Sequence, residues 1–174
     1  LTIGNTKTVS DAVRGGAADI GFIEGDIDEP TLAKREVAED GLVIVVSPKH
    51  PWANGRALSP QALVTQTNWI LREAGSGTRS EFEAALRDLG VDPARLRTAL
   101  VLPSNEAVIT AVENGIAATA VSQFAVSSLI AQGRLARANF PIPPRKFMVL
   151  RHKERQQTQS SLALEKLCLS GAWD

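Results

Sequence analysis

Short apolar runs rich in β-branched residues alternate along this chain with segments of helical spacing, and that alternation limits the folds open to it more than any other feature. Residues 68–90 carry the clearest cycle: NWILRE reads as a strand, AGSGT as a loop and RSEFEAALRDLG as a helix. Within it Thr78 and Glu81 stand at capping-box spacing, Phe82, Ala85, Leu86 and Leu89 share one helical face, and Gly90 closes the segment. Upstream, LTIGNT, VSDAVRGG and ADIGFIEG read as strand, helix, strand. GLVIVV is a further strand, broken by Pro48 and Pro51, and SPQALV a helix with Ser59 as its cap and Pro60 in its first position. Downstream come the strand TALVL, the helix SNEAVITAVENG with Ala107, Val108, Ala111 and Val112 inward, and the strand IAATAVS. The helix QFAVSSLIAQG and the buried strand KFMVL follow, then a closing helix SSLALEKLCLSG that offers Leu164, Leu167 and Cys168 for packing. Read without hairpins, this order predicts an α/β fold of mainly parallel strands with helices on both faces, divided between two small sheets, and PIPP at 141–144 is a stiff connector.

Charge and cysteine content narrow the function classes. Nineteen basic residues balance nineteen acidic ones, and nothing in that balance suggests a nucleic-acid or membrane surface. Cys168 is the single cysteine, so an intrachain disulfide is excluded; its apolar surroundings make it a small buried thiol. No run approaches the roughly 20 apolar residues of a membrane span. There is no signal peptide, and Leu1 is not a natural start, so the chain reads as beginning inside a longer protein. His50 and His152 read as surface histidines, and RHKER at 151–155 as a solvated strand end.

The loop Gly75-Ser76-Gly77-Thr78 is placed at the carboxyl end of a strand, where open α/β sheets bind ligands. Its two glycines permit backbone conformations that aim amides at a guest, its hydroxyls add donors, and the helix that follows supplies partial positive charge. Such chemistry suits a small anion. Arg79 either forks onto that anion or lies on the exposed helix face. The loop lacks the lysine of a P-loop, has Ser80 where a dinucleotide fingerprint needs glycine, and flanks Ser76 with Ala74 and Thr78 where a nucleophile elbow needs glycines. Ser104 or Asn105 caps a helix after another strand, and Glu24 stands at a third strand end as a loop acid or a ligand-facing group. The acids Glu24, Asp26, Asp28 and Glu29 lack calcium-loop spacing, so no metal is assigned.

Taken together, IGNTKTVSDAVRGGAADIGFIEGDID, LVIVVSPKHPWA, WILREAGSGTRSEFEAAL, LPSNEAVITAVENG and TAVSQFAV resemble the effector-binding region of LysR-type transcriptional regulators over nearly the whole chain. The resemblance is nearest to the branch containing regulators of sulfur assimilation and carbon fixation. It implies an α/β fold of two Rossmann-like lobes of the type 2 periplasmic-binding-protein kind, joined by two crossover segments, with effector held in the cleft. Mapped here, lobe I takes residues 1–46 and 136–174, and lobe II residues 47–135. The ligand-binding residues it implies are Glu24, Ser76, Gly77, Thr78 and Asn105, with Arg79 adjacent. At 115–119 the family's glycine-rich turn reads GIAAT, with Ala117 in place of a glycine, which restricts the backbone. A family member also carries a winged helix-turn-helix, a linker helix and a first strand and helix of lobe I ahead of LTIGNT; on that reading the cleft and the dimer surface of this chain are incomplete.

The function so implied is that of a cytoplasmic sensor, not an enzyme: a small-molecule effector, with an anion among the candidates, alters how homodimers or homotetramers of the full-length protein sit on DNA, which is contacted only through the winged helix-turn-helix. No cofactor, metal or membrane is expected. An extracytoplasmic solute-binding protein for a small anion is the alternative, since such proteins carry a similar GSGTR loop. An enzyme would have only Glu24 as a base, without a partner beside it.

Overall fold

Polar residues set just ahead of apolar segments start most of the helices of the computed structural model, which describes residues 1–170. In chain order the elements are α1 (Thr6–Gly15), β1 (Gly21–Glu24), β2 (Leu32–Asp40), β3 (Leu42–Val46), α2 (Pro60–Thr65), β4 (Asn68–Arg72) and α3 (Gly77–Asp88). They continue as β5 (Thr98–Leu102), α4 (Asn105–Glu113), β6 (Ala117–Ser122), α5 (Gln123–Ala131), β7 (Ala136–Arg137), β8 (Arg145–His152) and α6 (Gln159–Leu169). Asn5, Ser59, Ser76, Ser104 and Thr158 each accept a backbone N–H in the first turn of the helix they precede. For α3 this moves the cap from the expected Thr78 to Ser76. The residue three positions on is then Arg79, so no capping box forms.

Two units pack separately: Leu1–Glu39 with the residues from Arg145 onward, and Asp40–Pro144. The chain therefore passes between them at residues 39–40 and 144–145, not at 46–47 and 135–136 as expected. Strand pairing is the reason. β3 is hydrogen-bonded to β6 and β7, and Ala138 and Phe140 belong to the core over that same sheet, so residues 42–46 and 136–144 fold with the second unit.

In the first unit the sheet order is β1-β8-β2, with β1 and β8 antiparallel and Glu24 opposite Phe147. Val13, Ile23, Leu32 and Leu150 form its core. Gly21 lets α1 lie on β1, since a Cβ there would come within 2.7 Å of Val9 and 2.9 Å of Val13. Residues 1–5 form no strand, contrary to the reading of LTIGNT, and Asn5 instead caps α1. On α6 only Cys168 of the three expected packing residues is buried; Leu164 and Leu167 stay 39% and 51% exposed.

The second unit has the sheet order β5-β4-β6-β3-β7. β4 runs parallel to β5 and β6, but β3 is antiparallel to β6 and β7, so the sheet is mixed where a mainly parallel one was expected. Every residue of β3 is buried because its two faces serve two cores: Leu42, Ile44 and Val46 meet Trp69, Phe82 and Leu86, while Val43 and Val45 meet Val108, Val112 and Val126. Of the face expected on α3, Leu89 is 44% exposed, because the helix ends there at its cap.

His50 is 5% exposed rather than on the surface. Its Nδ1 accepts the Trp52 N–H at 3.1 Å, so Nε2 carries the proton toward Thr67 Oγ1 at 2.9 Å, and that hydroxyl donates to the Asn68 carbonyl at 3.1 Å. Burial holds its pKa below the ordinary histidine value. Protonation would set a second N–H against that of Trp52. The contribution is thus fully present above the unfolded value of about 6.5 and declines as pH falls through it. The urea midpoint is expected to drop between pH 7.5 and 5.5, and His50→Gln to flatten that dependence; an unchanged slope in the variant would place its origin elsewhere.

Candidate functional site

β4 and β5 end side by side, with Arg72 in register with Leu102 and the Glu73 N–H donating to the Leu102 carbonyl at 3.2 Å. Each strand then turns into a helix. After β4 the Ser76 N–H closes a turn on the Glu73 carbonyl at 3.2 Å, with Gly75 at φ +92°, a conformation side-chain-bearing residues rarely adopt. Gly77 is instead an ordinary first residue of α3, so only one of the two loop glycines provides unusual backbone freedom. After β5, Ser104 caps α4 by accepting the Ala107 N–H at 3.2 Å, and Asn105 is the first helical residue.

A polar network ties the two turns. Arg72 donates from Nε and one terminal nitrogen to the Glu73 carboxylate at 2.8 and 3.1 Å, and from the other terminal nitrogen to Asn105 Oδ1 at 2.5 Å. Arg79 pairs with Glu83 at 2.7 Å and donates to the Arg72 carbonyl at 3.1 Å, so its guanidinium already serves the loop. Ser76 and Thr78 are each 1% exposed. The Glu106 carboxyl is held below the usual range by its own backbone N–H at the start of α4, by the Ser104 hydroxyl and, less, by the Arg72 charge. Asn105, Ser76, Gly77, Thr78 and Arg79 are thereby gathered at one end of one sheet. Arg72 and Glu73, which hold them there, escaped the sequence reading; a charged pair closing an apolar strand was their signal.

Glu24 belongs to the first unit, at the end of β1. Its Oε2 accepts from Arg145 at 2.8 Å; the Arg145 side chain is 1% exposed and that of Glu24 24%. The guanidinium also lies 5.7 Å from the centre of the Phe147 ring. Glu24 is therefore a paired acid, and Arg145, at the head of β8, is the partner that sequence reading missed. Nearby, Asp26 pairs with Lys34 at 2.5 Å and Glu29 accepts from Thr31 at 2.8 Å. Among the described residues no group of three or more histidine, cysteine or acidic side chains is placed to hold a metal, and no helix is long and apolar enough to cross a membrane.

These strand-end turns in two α/β units are the architecture of a ligand-binding regulatory domain of the periplasmic-binding-protein type. The chain belongs to the LysR substrate binding domain family, whose model matches residues 1–172. It is 39% identical over 142 residues to an uncharacterised HTH-type transcriptional regulator of Mycobacterium tuberculosis, covering 81% of this chain and 46% of that one. To the HTH-type transcriptional regulator CysL of Bacillus subtilis it is 37% identical over 123 residues, covering 71% and 40%. The chain thus spans less than half the length of these relatives. The regulatory domain of Synechocystis CcmR, solved in complex with 2-PG, shares the fold with a TM-score of 0.83 at 23% identity, covering 95% of this chain and 79% of that one. These matches lend no support to the solute-binding alternative.

Proposed function

We propose that this chain is the sensory part of a DNA-binding transcriptional regulator, and that its effector is a small molecule met at strand ends. Asn105 and the first turn of α3 are the contacts proposed in the second unit, and Glu24 is a contact proposed within the first. The observation that carries this reading is the Arg72–Asn105 bond, which brings two helix N-termini together at the carboxyl ends of parallel strands. Backbone N–H groups of such turns are ready donors. The effector acts by binding one arrangement of the regulator more tightly than another, and without that difference it shifts nothing. Regulation of transcription, a homo-oligomeric state and DNA contact through a helix-turn-helix belong to the full-length protein. Both relatives compared above are transcriptional regulators, which supports a role in sensing over one in catalysis.

The test is a thermal-shift screen of the full-length regulator against small metabolites, 2-PG included, followed by titration calorimetry of any hit. Asn105→Ala is expected to weaken binding about three- to tenfold, the worth of one neutral hydrogen bond, at an unchanged fold. An effector bound equally well by Asn105→Ala and by a Gly77→Val variant would remove this end of the sheet from the site. An effector that binds yet leaves the regulator's footprint on promoter DNA unaltered would remove the sensory role.

A further inference from the structure

Asparagine followed by glycine is among the most labile pairs in a chain, and this chain has two, Asn54-Gly55 and Asn114-Gly115. A glycine leaves its amide nitrogen unshielded, so that nitrogen reaches the carbonyl carbon of the preceding side chain readily. The structure separates the two pairs. Asn114 stands at the end of α4 with its side chain turned back, the amide nitrogen donating to the Thr110 carbonyl at 2.9 Å. The Gly115 N–H is also committed, to the Val112 carbonyl at 3.2 Å. Attack there would break both bonds. Asn54 turns the other way: it ends the short helical turn Pro51–Asn54, and its Oδ1 accepts the Arg56 N–H at 2.9 Å. The ring closed by that bond contains both the side-chain carbon Cγ and the Gly55 nitrogen, which keeps the reacting atoms near one another. A donor on Oδ1 also draws electrons from Cγ and meets the oxygen that becomes negative on attack, as a donor of an oxyanion hole does. Asn54, Gly55 and Arg56 are all exposed, Gly55 stands at φ +74°, and a Cβ built on it would meet nothing within 4 Å. Water has access, and the chain has room to close a ring.

We propose that Asn54 is a site of self-modification: the Gly55 nitrogen, having lost its proton to hydroxide, bonds to Asn54 Cγ, the Cγ–Nδ2 bond breaks, and ammonia leaves with a proton taken from water. Water then adds to either carbonyl of the imide so formed and opens it. The product is aspartate or, with the main chain rerouted through the side chain, isoaspartate. Either form adds a carboxylate to a chain of zero formal charge. In the isoaspartyl form an extra carbon precedes Gly55, whose carbonyl accepts from Asn139 Nδ2 at 2.9 Å, while the Leu58 N–H donates to the Asn139 carbonyl at 3.0 Å. The tie between residues 55–58 and Asn139 is thereby loosened, close in sequence to the buried Trp52. Carboxyl methylation is the class of reaction that would consume the isoaspartyl product.

The experiment incubates the full-length regulator at neutral and at mildly alkaline pH, then digests it and follows the peptides carrying residues 54 and 114 by mass spectrometry for conversion of amide to acid. Conversion at Asn54 is expected to rise with hydroxide concentration and to run about tenfold or more ahead of that at Asn114, the worth of one or two native hydrogen bonds. In urea, where those bonds are gone, the two convert alike. Isoaspartate at 54 is read independently by methylating the digest with an isoaspartyl methyltransferase and S-adenosylmethionine. Asn54→Ser keeps an oxygen for the Arg56 N–H but lacks the amide; it is expected to abolish the acidic form seen on isoelectric focusing, whereas Asn114→Ser leaves that form in place. Equal conversion of Asn54 and Asn114 in the folded protein, or an acidic form that survives Asn54→Ser, overturns the proposal. So does an Asn54 that converts only in urea.

Discussion

Trp69→Ala is expected to cost about 3–5 kcal/mol of folding stability. The indole is fully buried on β4, with its ring centre 4.9 Å from that of Phe82 and 6.1 Å from that of Trp52. Removing it leaves a void between a strand and two helical segments, and interiors packed as densely as crystals relax into such voids only in part. It also removes a bond. Trp69 Nε1 donates to the Leu63 carbonyl at 2.7 Å, and α2 is only six residues long, so that carbonyl lies in its last turn, where helical partners run out. Trp69→Phe keeps most of the ring and loses the donor, and should cost about 1–2 kcal/mol. Leu100→Ala on β5, half exposed, should cost about 0.5 kcal/mol or less. Urea unfolding of the three variants tests the order; Trp69→Ala no more destabilised than Leu100→Ala would show that this cluster does not hold the unit together.

Trp69 also illustrates what could be read from sequence and what could not. NWILRE announced a strand, and Ser59 and Ser104 announced helices, because each signal is local: a polar cap, then apolar residues at helical spacing. The glycine loop offered Ser76, Thr78 and two glycines as rival devices. The choice fell to a turn that needs a positive φ at Gly75 and so makes Ser76 the cap. Strand direction was less accessible, since a strand buried on both faces gives the same unbroken apolar run whichever way its neighbours point. Mainly parallel sheets were expected, yet β3 is antiparallel to both of its neighbours. Partnerships were least accessible. Arg72 meets Asn105 33 residues away, Arg145 meets Glu24 across 121, and His50 is drawn inside by Thr67, 17 residues on. Sequence spacing carries no trace of such pairs, and so Glu24 and Asn105 could be nominated from the sequence while the arginines they bond to could not.

Glu24→Ala and Arg145→Met break the same ion pair, yet the first is expected to cost about 3 kcal/mol and the second about 1 kcal/mol. Removing one member of a buried pair is costly because the other charge is left in a poor solvent, and the two members differ in how they escape that penalty. Without Arg145 the Glu24 carboxylate, about a quarter exposed, turns to water. Without Glu24 the Arg145 guanidinium, 1% exposed, has no comparable access to water. Contact with the Phe147 ring offsets only part of that cost, about 0.5–2 kcal/mol for a cation over an aromatic face. Glu24→Gln keeps an accepting oxygen and should fall between the two. Denaturation at pH 7 orders the variants, and Arg145→Met as costly as Glu24→Ala would contradict the burial argument. The same order decides how Glu24 is tested as an effector contact: Glu24→Ala confounds a lost contact with a disturbed β1–β8 edge, whereas a Glu24→Gln protein that is still folded at the assay temperature and no longer binds would isolate the carboxylate's charge as what the effector requires.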